Sequence, residues 1–154
     1  MENFPEEFML CALKEAKKAC NMDEVPVGCV IVREGKIIAK AHNLREAKKN
    51  PCAHAEILAI LKAAKKLHGW RLSDAELYVT LEPCPMCAGA IINARINKVY
   101  FGAYDKKAGA FGSLLNLNSY GLNHKPDILG GILEEQCSSL LKEYFLAKRT
   151  ARND

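Results

Sequence analysis

Leu77-Tyr78-Val79-Thr80-Leu81-Glu82-Pro83-Cys84-Pro85-Met86-Cys87 changes character halfway along its length. Residues 77–81 are apolar and short enough for a buried strand. Pro85 suits the first position of a helix, because its missing N–H would be unpaired there and its fixed φ is already helical, which leaves Cys84 as the N-cap. The apolar spacing then predicts a helix over 85–94 and another strand over 98–103. Strand, helix and strand in succession imply parallel pairing with the helix crossing over one face of the sheet. This is the logic of a three-layer α/β/α sandwich.

Upstream, Ile57, Leu58, Ile60, Leu61 and Ala64 recur at helical spacing while Lys62, Lys65 and Lys66 take the other side, so a helix is predicted over 53–67, closed by Gly69. The polar stretch 43–52 reads as a loop, and Pro51 biases Asn50 away from helical angles. Residues 27–32 and 36–41 are apolar runs separated by Arg33, Glu34 and Gly35, a β-hairpin with Gly35 at positive φ. Before it, Phe8, Cys11 or Ala12, Ala16 and Ala19 mark a first helix over 5–20. Glu15 interrupts its apolar side, and the helix stops at Asn21. The expected sheet is therefore mixed, with an amino-terminal antiparallel hairpin. Downstream, 104–125 is rich in Gly, Asn and Ser and too long for a plain connector, which marks it as a functional candidate. A last helix over 133–148 leads into the basic Lys148, Arg149 and Arg152.

At 154 residues, 49% hydrophobic and 26% charged, the chain has the length and composition of one soluble domain, 1–154. Its amino terminus carries Glu2, Glu6 and Glu7 and lacks the basic start and apolar centre of a secretory signal. No apolar run approaches the roughly 18 residues that cross a bilayer. A cytoplasmic protein without a membrane partner is expected. Seven cysteines is an odd count. Cys11, Cys20, Cys29, Cys52 and Cys137 follow no framework spacing, as expected of reduced thiols. The net charge of +4 permits an anionic partner and excludes little.

Two short motifs carry the chemistry. His54-Ala55-Glu56 opens one predicted helix, and Pro83-Cys84-Pro85-Met86-Cys87 opens another. Cysteines three apart at a helix start present both sulfurs from one turn, where unpaired N–H groups and the helix dipole stabilise thiolates. His54 adds a neutral imidazole. Structural zinc is held by four protein groups, whereas catalytic zinc keeps one position open. His54, Cys84 and Cys87 make three, which leaves room for a water whose pKa falls towards about 7. Glu56, two residues beyond the histidine, can then relay protons. Cys52 is an alternative fourth ligand that would turn the site structural. It would leave the placement of Glu56 unexplained, and Pro51 is expected to turn it away. His42, His68 and His124 have no partner at ligand spacing.

His-x-Glu followed by Pro-Cys-x-x-Cys resembles the signature of zinc nucleobase deaminases, a class that includes tRNA adenosine deaminases. The match extends further. Glu24-Val25-Pro26-Val27-Gly28, His54 to Ile60, Leu77 to Cys84, Phe101-Gly102-Ala103, Gly112-Ser113 and Leu122-Asn123-His124 resemble the bacterial tRNA-specific adenosine deaminase family of the cytidine deaminase-like superfamily. The zinc motifs are shared with guanine, cytosine and cytidine deaminases. The tRNA-specific weight falls on 105–113 and on Tyr144, Phe145 and Arg149.

The resemblance implies a cytidine deaminase-like fold, one Zn2+ per subunit, a homodimer, and hydrolysis of adenosine to inosine at the wobble position of a tRNA anticodon stem-loop. It implies that Glu56 is the proton shuttle, Asn43 a base contact, Asp105 an acidic neighbour of the target nucleotide, and Val27 and Leu81 apolar pocket walls. Phe145 and Arg149 would lie near the flanking anticodon bases, with Tyr144 departing from the commoner paired phenylalanines. An anticodon loop already splays its bases, which suits such a site, and Lys106, Lys107, Lys148 and Arg149 could meet phosphates. Two other readings stand beside this one. One is a deaminase of a free base or nucleoside, of guanine or cytosine type, and the other is a non-catalytic zinc-stabilised RNA-binding module.

Overall fold

The computed structural model describes residues 5–153, with side chains through residue 152. The acidic start at Glu2 and both ends of the expected 1–154 domain lie outside the described residues. Helix α1 (Pro5–Asn21) has Glu6 and Glu7 in its first turn and Lys18 in its last, charges that suit the dipole at each end. It buries Phe8, Met9, Ala12, Leu13, Ala16 and Ala19. Glu15 does not interrupt this face; it is buried too, with its carboxylate paired to Lys18 at 2.6 Å.

Strands β1 (Gly28–Arg33) and β2 (Lys36–His42) form the expected antiparallel hairpin. Its turn places both Glu34 (φ 52°) and Gly35 (φ 73°) in the left-handed region, the geometry whose twist matches that of paired strands. A four-residue helix α2 (Arg45–Lys48) lies where only loop was expected. It is held by a residue far upstream: the Glu24 carboxylate accepts the Glu46 and Ala47 amides at 3.0 and 2.8 Å. Helix α3 (Ala55–Leu67) ends on His68 at φ 54°, not on Gly69. The Gly69 amide, one residue later, reaches back to the Ala64 carbonyl.

Strand β3 (Ala75–Leu81), helix α4 (Pro85–Asn93) and strand β4 (Lys98–Ala103) form the predicted parallel unit. The sheet order is β2-β1-β3-β4-β5, so β1 is antiparallel to both its neighbours and the remaining pairs are parallel. The last strand, β5 (Asp127–Leu129), has three residues and no periodic pattern to announce it. Between β4 and β5 the long loop holds a bridge between Phe111 and Asn116 and a single 3-10 turn over Leu117–Ser119. Helix α5 (Glu134–Asn153) is the last described element.

The pleat shows how the layers form. Gly28 faces α1 so closely that a Cβ there would overlap the Ala12 carbonyl and the Ala16 amide. Tyr78 and Tyr100 stack on the same face, and Phe8 of α1 packs on Tyr78. Gly102, two residues along β4 from Tyr100, faces Cys137 of α5. Helices α1 and α5 therefore cover one face, and α3 and α4 pack together on the other. This is the α/β/α sandwich expected from the alternation. No described helix is long and apolar enough to cross a membrane.

Candidate active site

The amino ends of α3 and α4 converge. His54 is the N-cap of α3 in extended conformation, and Cys84 is the N-cap of α4 with Pro85 behind it, as the spacing predicted. Neither cap side chain satisfies its own helix, so both remain available as ligands. His54 Nδ1 lies 3.7 Å from Cys84 Sγ and 3.4 Å from Cys87 Sγ. A tetrahedral ion with Zn–S near 2.3 Å and Zn–N near 2.0–2.1 Å would separate a nitrogen and a sulfur ligand by about 3.6 Å, so the spacing fits a shared zinc. All three ligand atoms lie within 4.8 Å of one another, and they are the only such group among the described residues. Cys52 is not part of it. It is exposed, and its amide donates to Asn50 Oδ1. The other histidines serve the chain: His42 Nδ1 meets the Asn43 carbonyl, His124 Nε2 meets the Ile96 carbonyl at 2.6 Å, and His68 is the C-cap of α3.

The titratable groups of the trio shift one another strongly. A hydrogen bond from Cys87 holds the Cys84 thiol down at about 4, against the opposing effect of burial, and His54 adds to the lowering. Cys87 is driven upward by the same contact with Cys84 and by burial. The hydrogen bond with Cys84 raises the His54 imidazole. Glu56 is only 4% exposed, and burial pushes its carboxyl up to about 7, opposed by its own backbone amide. A carboxyl near neutrality beside the metal ligands can both take and give a proton at working pH.

The chain holds α3 in place through Asn43. This buried residue accepts the Ala55 amide on Oδ1 at 2.8 Å, and its own amide donates to the Val27 carbonyl at 3.1 Å. Among the described residues, no hydrogen bond occupies its Nδ2. Val27 is buried beside it. Leu81, Asp105, Phe145 and Arg149 line one groove of about 740 Å³. The structure thus sorts the expected contacts into a deep pair, Val27 and Asn43, and an outer group of four. Lys106 and Lys107 also line that groove, whereas Lys148 is held by the Asp23 carboxylate at 2.6 Å.

Glu82 went unassigned in the sequence. It is buried, and its carboxylate accepts from Asp105, Phe111 and Ser113 of the long loop. The available signal was an acidic residue between a buried strand and the Pro-Cys motif, where no solvent-facing side chain belongs.

Residues 2–103 match the family model described as the cytidine and deoxycytidylate deaminase zinc-binding region. The chain is 52% identical over 141 residues to the tRNA-specific adenosine deaminase of Bacillus subtilis, covering 91% of this chain and 88% of that one. It resembles a solved structure from a study of A-to-I editing by tRNA:A34 deaminases at the wobble position of transfer RNA, with a TM-score of 0.82 and 42% identity, covering 88% of this chain and 99% of the other. It also resembles the guanine deaminase of Nitrosomonas europaea, with a TM-score of 0.81 at 25% identity, covering 94% of this chain and 86% of the other.

Proposed function

The chain belongs to the cytidine and deoxycytidylate deaminase family, in the branch closely related to tRNA-specific adenosine deaminases, and from that premise we propose how it acts and on what. It is a zinc hydrolase that converts adenosine to inosine, with the wobble adenosine of a tRNA anticodon loop as substrate. The observation that carries this is the His54, Cys84 and Cys87 trio at tetrahedral spacing, with the buried Glu56 carboxyl beside it.

His54 Nδ1 and the two sulfurs would hold one Zn2+ per subunit, which supplies Lewis-acid activation of water at its open position. Glu56 accepts the proton released by the attacking water and delivers it to ring nitrogen N1 of adenine. It then takes the second water proton, from the hydroxyl now on C6, and delivers it to the amino nitrogen as the C6–N bond breaks and the C6 carbonyl forms, so adenosine and water become inosine and ammonia. Asn43 Nδ2 is the group that donates to the base, Val27 and Leu81 confine it, and Asp105 borders the target nucleotide.

The outer groove favours a polynucleotide over a free base. A lone purine needs no trough of about 740 Å³ lined by Lys106, Lys107, Lys142 and Arg149 with Phe145 exposed among them. Such a surface suits phosphates and a stacked base. The guanine-deaminase reading shares fold and metal ligands and is the rival to exclude. We take 1–154 as one deaminase domain, supported by a single core cluster that draws on strands β1 to β4 and on α1, α3, α4 and α5, with Ile128 of β5 packed against it. By the same family reasoning it acts as a homodimer in the cytoplasm, where its free thiols remain reduced. Incubation of the zinc-loaded protein with an anticodon stem-loop should add one dalton to the RNA, as an amino group becomes a carbonyl. Ammonia released from guanine with unaltered RNA would reject the assignment in favour of the rival.

A further inference from the structure

We propose that Glu82 is a positioning residue that sets the substrate loop 105–113 against the metal ligands, an inference that rests on the deaminase reading above. Glu82 follows β3 directly and lies two residues before Cys84, with its amide bonded to the Ala103 carbonyl at 2.8 Å. Its carboxylate is 2% exposed and accepts four hydrogen bonds, all from one loop. Oε1 takes the Asp105 amide at 3.1 Å and the Ser113 hydroxyl at 2.5 Å. Oε2 takes the Phe111 and Ser113 amides at 3.2 and 3.1 Å.

No cation pairs with this carboxylate among the described residues, so its charge is met by N–H and O–H dipoles alone. Charge-assisted bonds of this kind are about twice as strong as neutral ones. They also require the loop to be in place, because a buried carboxylate stripped of its donors is costly. The loop has adapted to this guest. A Cβ at Gly109 would overlap the Glu82 carboxyl, and the Ala110 amide bonds the Pro83 carbonyl at 2.9 Å. Residues 105–113 are therefore laced to residues 82 and 83, and the register of Asp105 follows from that of Cys84.

The kinetic consequence differs from that of a purely structural contact. If the lacing is weakened, the loop spends part of its time away from the binding geometry, and the apparent affinity falls by the fraction that remains competent. Bound RNA restores the order, so the turnover of the saturated enzyme changes little. A contact that served stability alone would lower the melting temperature and leave KM untouched.

The test measures inosine formation in an anticodon stem-loop across RNA concentrations, using protein verified to hold one zinc per chain. Glu82→Gln keeps the shape but turns an amide donor towards a backbone N–H whichever way it rotates. KM should rise by about tenfold or more, with kcat held within about threefold. An unchanged KM in the zinc-loaded variant overturns the proposal, even if its melting temperature falls. If Glu82→Gln does not fold or does not hold zinc, Ser113→Ala decides, since it removes one donor of four. A KM raised about threefold supports the proposal, and an unchanged KM overturns it. Wild-type protein that forms no inosine defeats the deaminase reading itself, whereas active wild type with unmoved variants defeats only the role of Glu82.

Discussion

Asn43 Oδ1 accepts the Ala55 amide at 2.8 Å across twelve residues of chain, and so caps the open end of the helix whose first turn holds His54 and Glu56. In the function proposed above, the same side chain serves the helix through Oδ1 and the base through Nδ2. The two roles separate by substitution. Asn43→Ala should lose the cap, worth about 1 kcal/mol, and melt roughly 2–4 °C lower as well as lose activity. Asn43→Asp keeps the acceptor and removes the donor. It should melt near the wild-type temperature while inosine formation collapses, and a normal rate would remove Nδ2 from the site.

Glu56→Gln should retain one zinc per chain and slow inosine formation by roughly 10²–10⁴-fold, measured in single-turnover assays. Its effect on stability has the opposite sign. Burial raises the folded-state pKa from an ordinary 4.5 to about 7, so between those values the folded protein binds a proton that the unfolded chain has released. Stability contributed by this group falls as pH rises through that window and stays low above it. Zinc-stripped Glu56→Gln should therefore melt higher than zinc-stripped wild type at pH 8, with the difference closing towards pH 4.5. Equal melting temperatures at both pH values would refute the buried-carboxyl account.

Chelation should abolish activity reversibly and lower the melting temperature, because metal affinity adds to the stability of the folded state. Cys84→Ser should reduce zinc content well below one per chain by elemental analysis. Full zinc content in that variant would exclude Cys84 as a ligand.

Arg149→Ala should weaken stem-loop binding across sequences and reduce the slope of log K against log salt by about 0.7–0.9. Phe145→Ala should weaken binding by about 1–3 kcal/mol with little change in that slope. Titration by fluorescence anisotropy at several salt concentrations distinguishes the two, and identical salt slopes for wild type and Arg149→Ala would take Arg149 off the phosphate path.

Gly28→Ala should destabilise the fold by at least about 1–3 kcal/mol. The added Cβ meets backbone atoms of Ala12 and Ala16, which cannot rotate away. Wild-type thermal stability in this variant would show that α1 can retreat from β1.

The metal site was legible because its parts are local. Pro85 beside Cys84, the three-residue step to Cys87 and the two-residue step from His54 to Glu56 are facts of spacing, and helix starts translate spacing directly into direction. The hairpin and the β3-α4-β4 unit follow equally short patterns. That a neutral imidazole and two thiolates suit zinc was likewise readable from residue type alone.

Other features depend on pairings that no local pattern encodes. Glu82 finds its donors 23 to 31 residues away, Glu24 holds α2 from 22 residues upstream, and β5 is defined only by its neighbour β4. The placement of β1 between β2 and β3 has the same origin. Periodicity shows which face of an element is buried, but hydrogen bonds between distant segments form only where the packed chain brings donor and acceptor within about 3 Å. Sequence alone thus nominated His54, Cys84 and Cys87, which the fold brings together, and put forward Glu56, which the fold buries, as the proton relay. Tertiary packing decided which loop is bonded to the residues just before Cys84, because its donors lie far along the chain from Glu82.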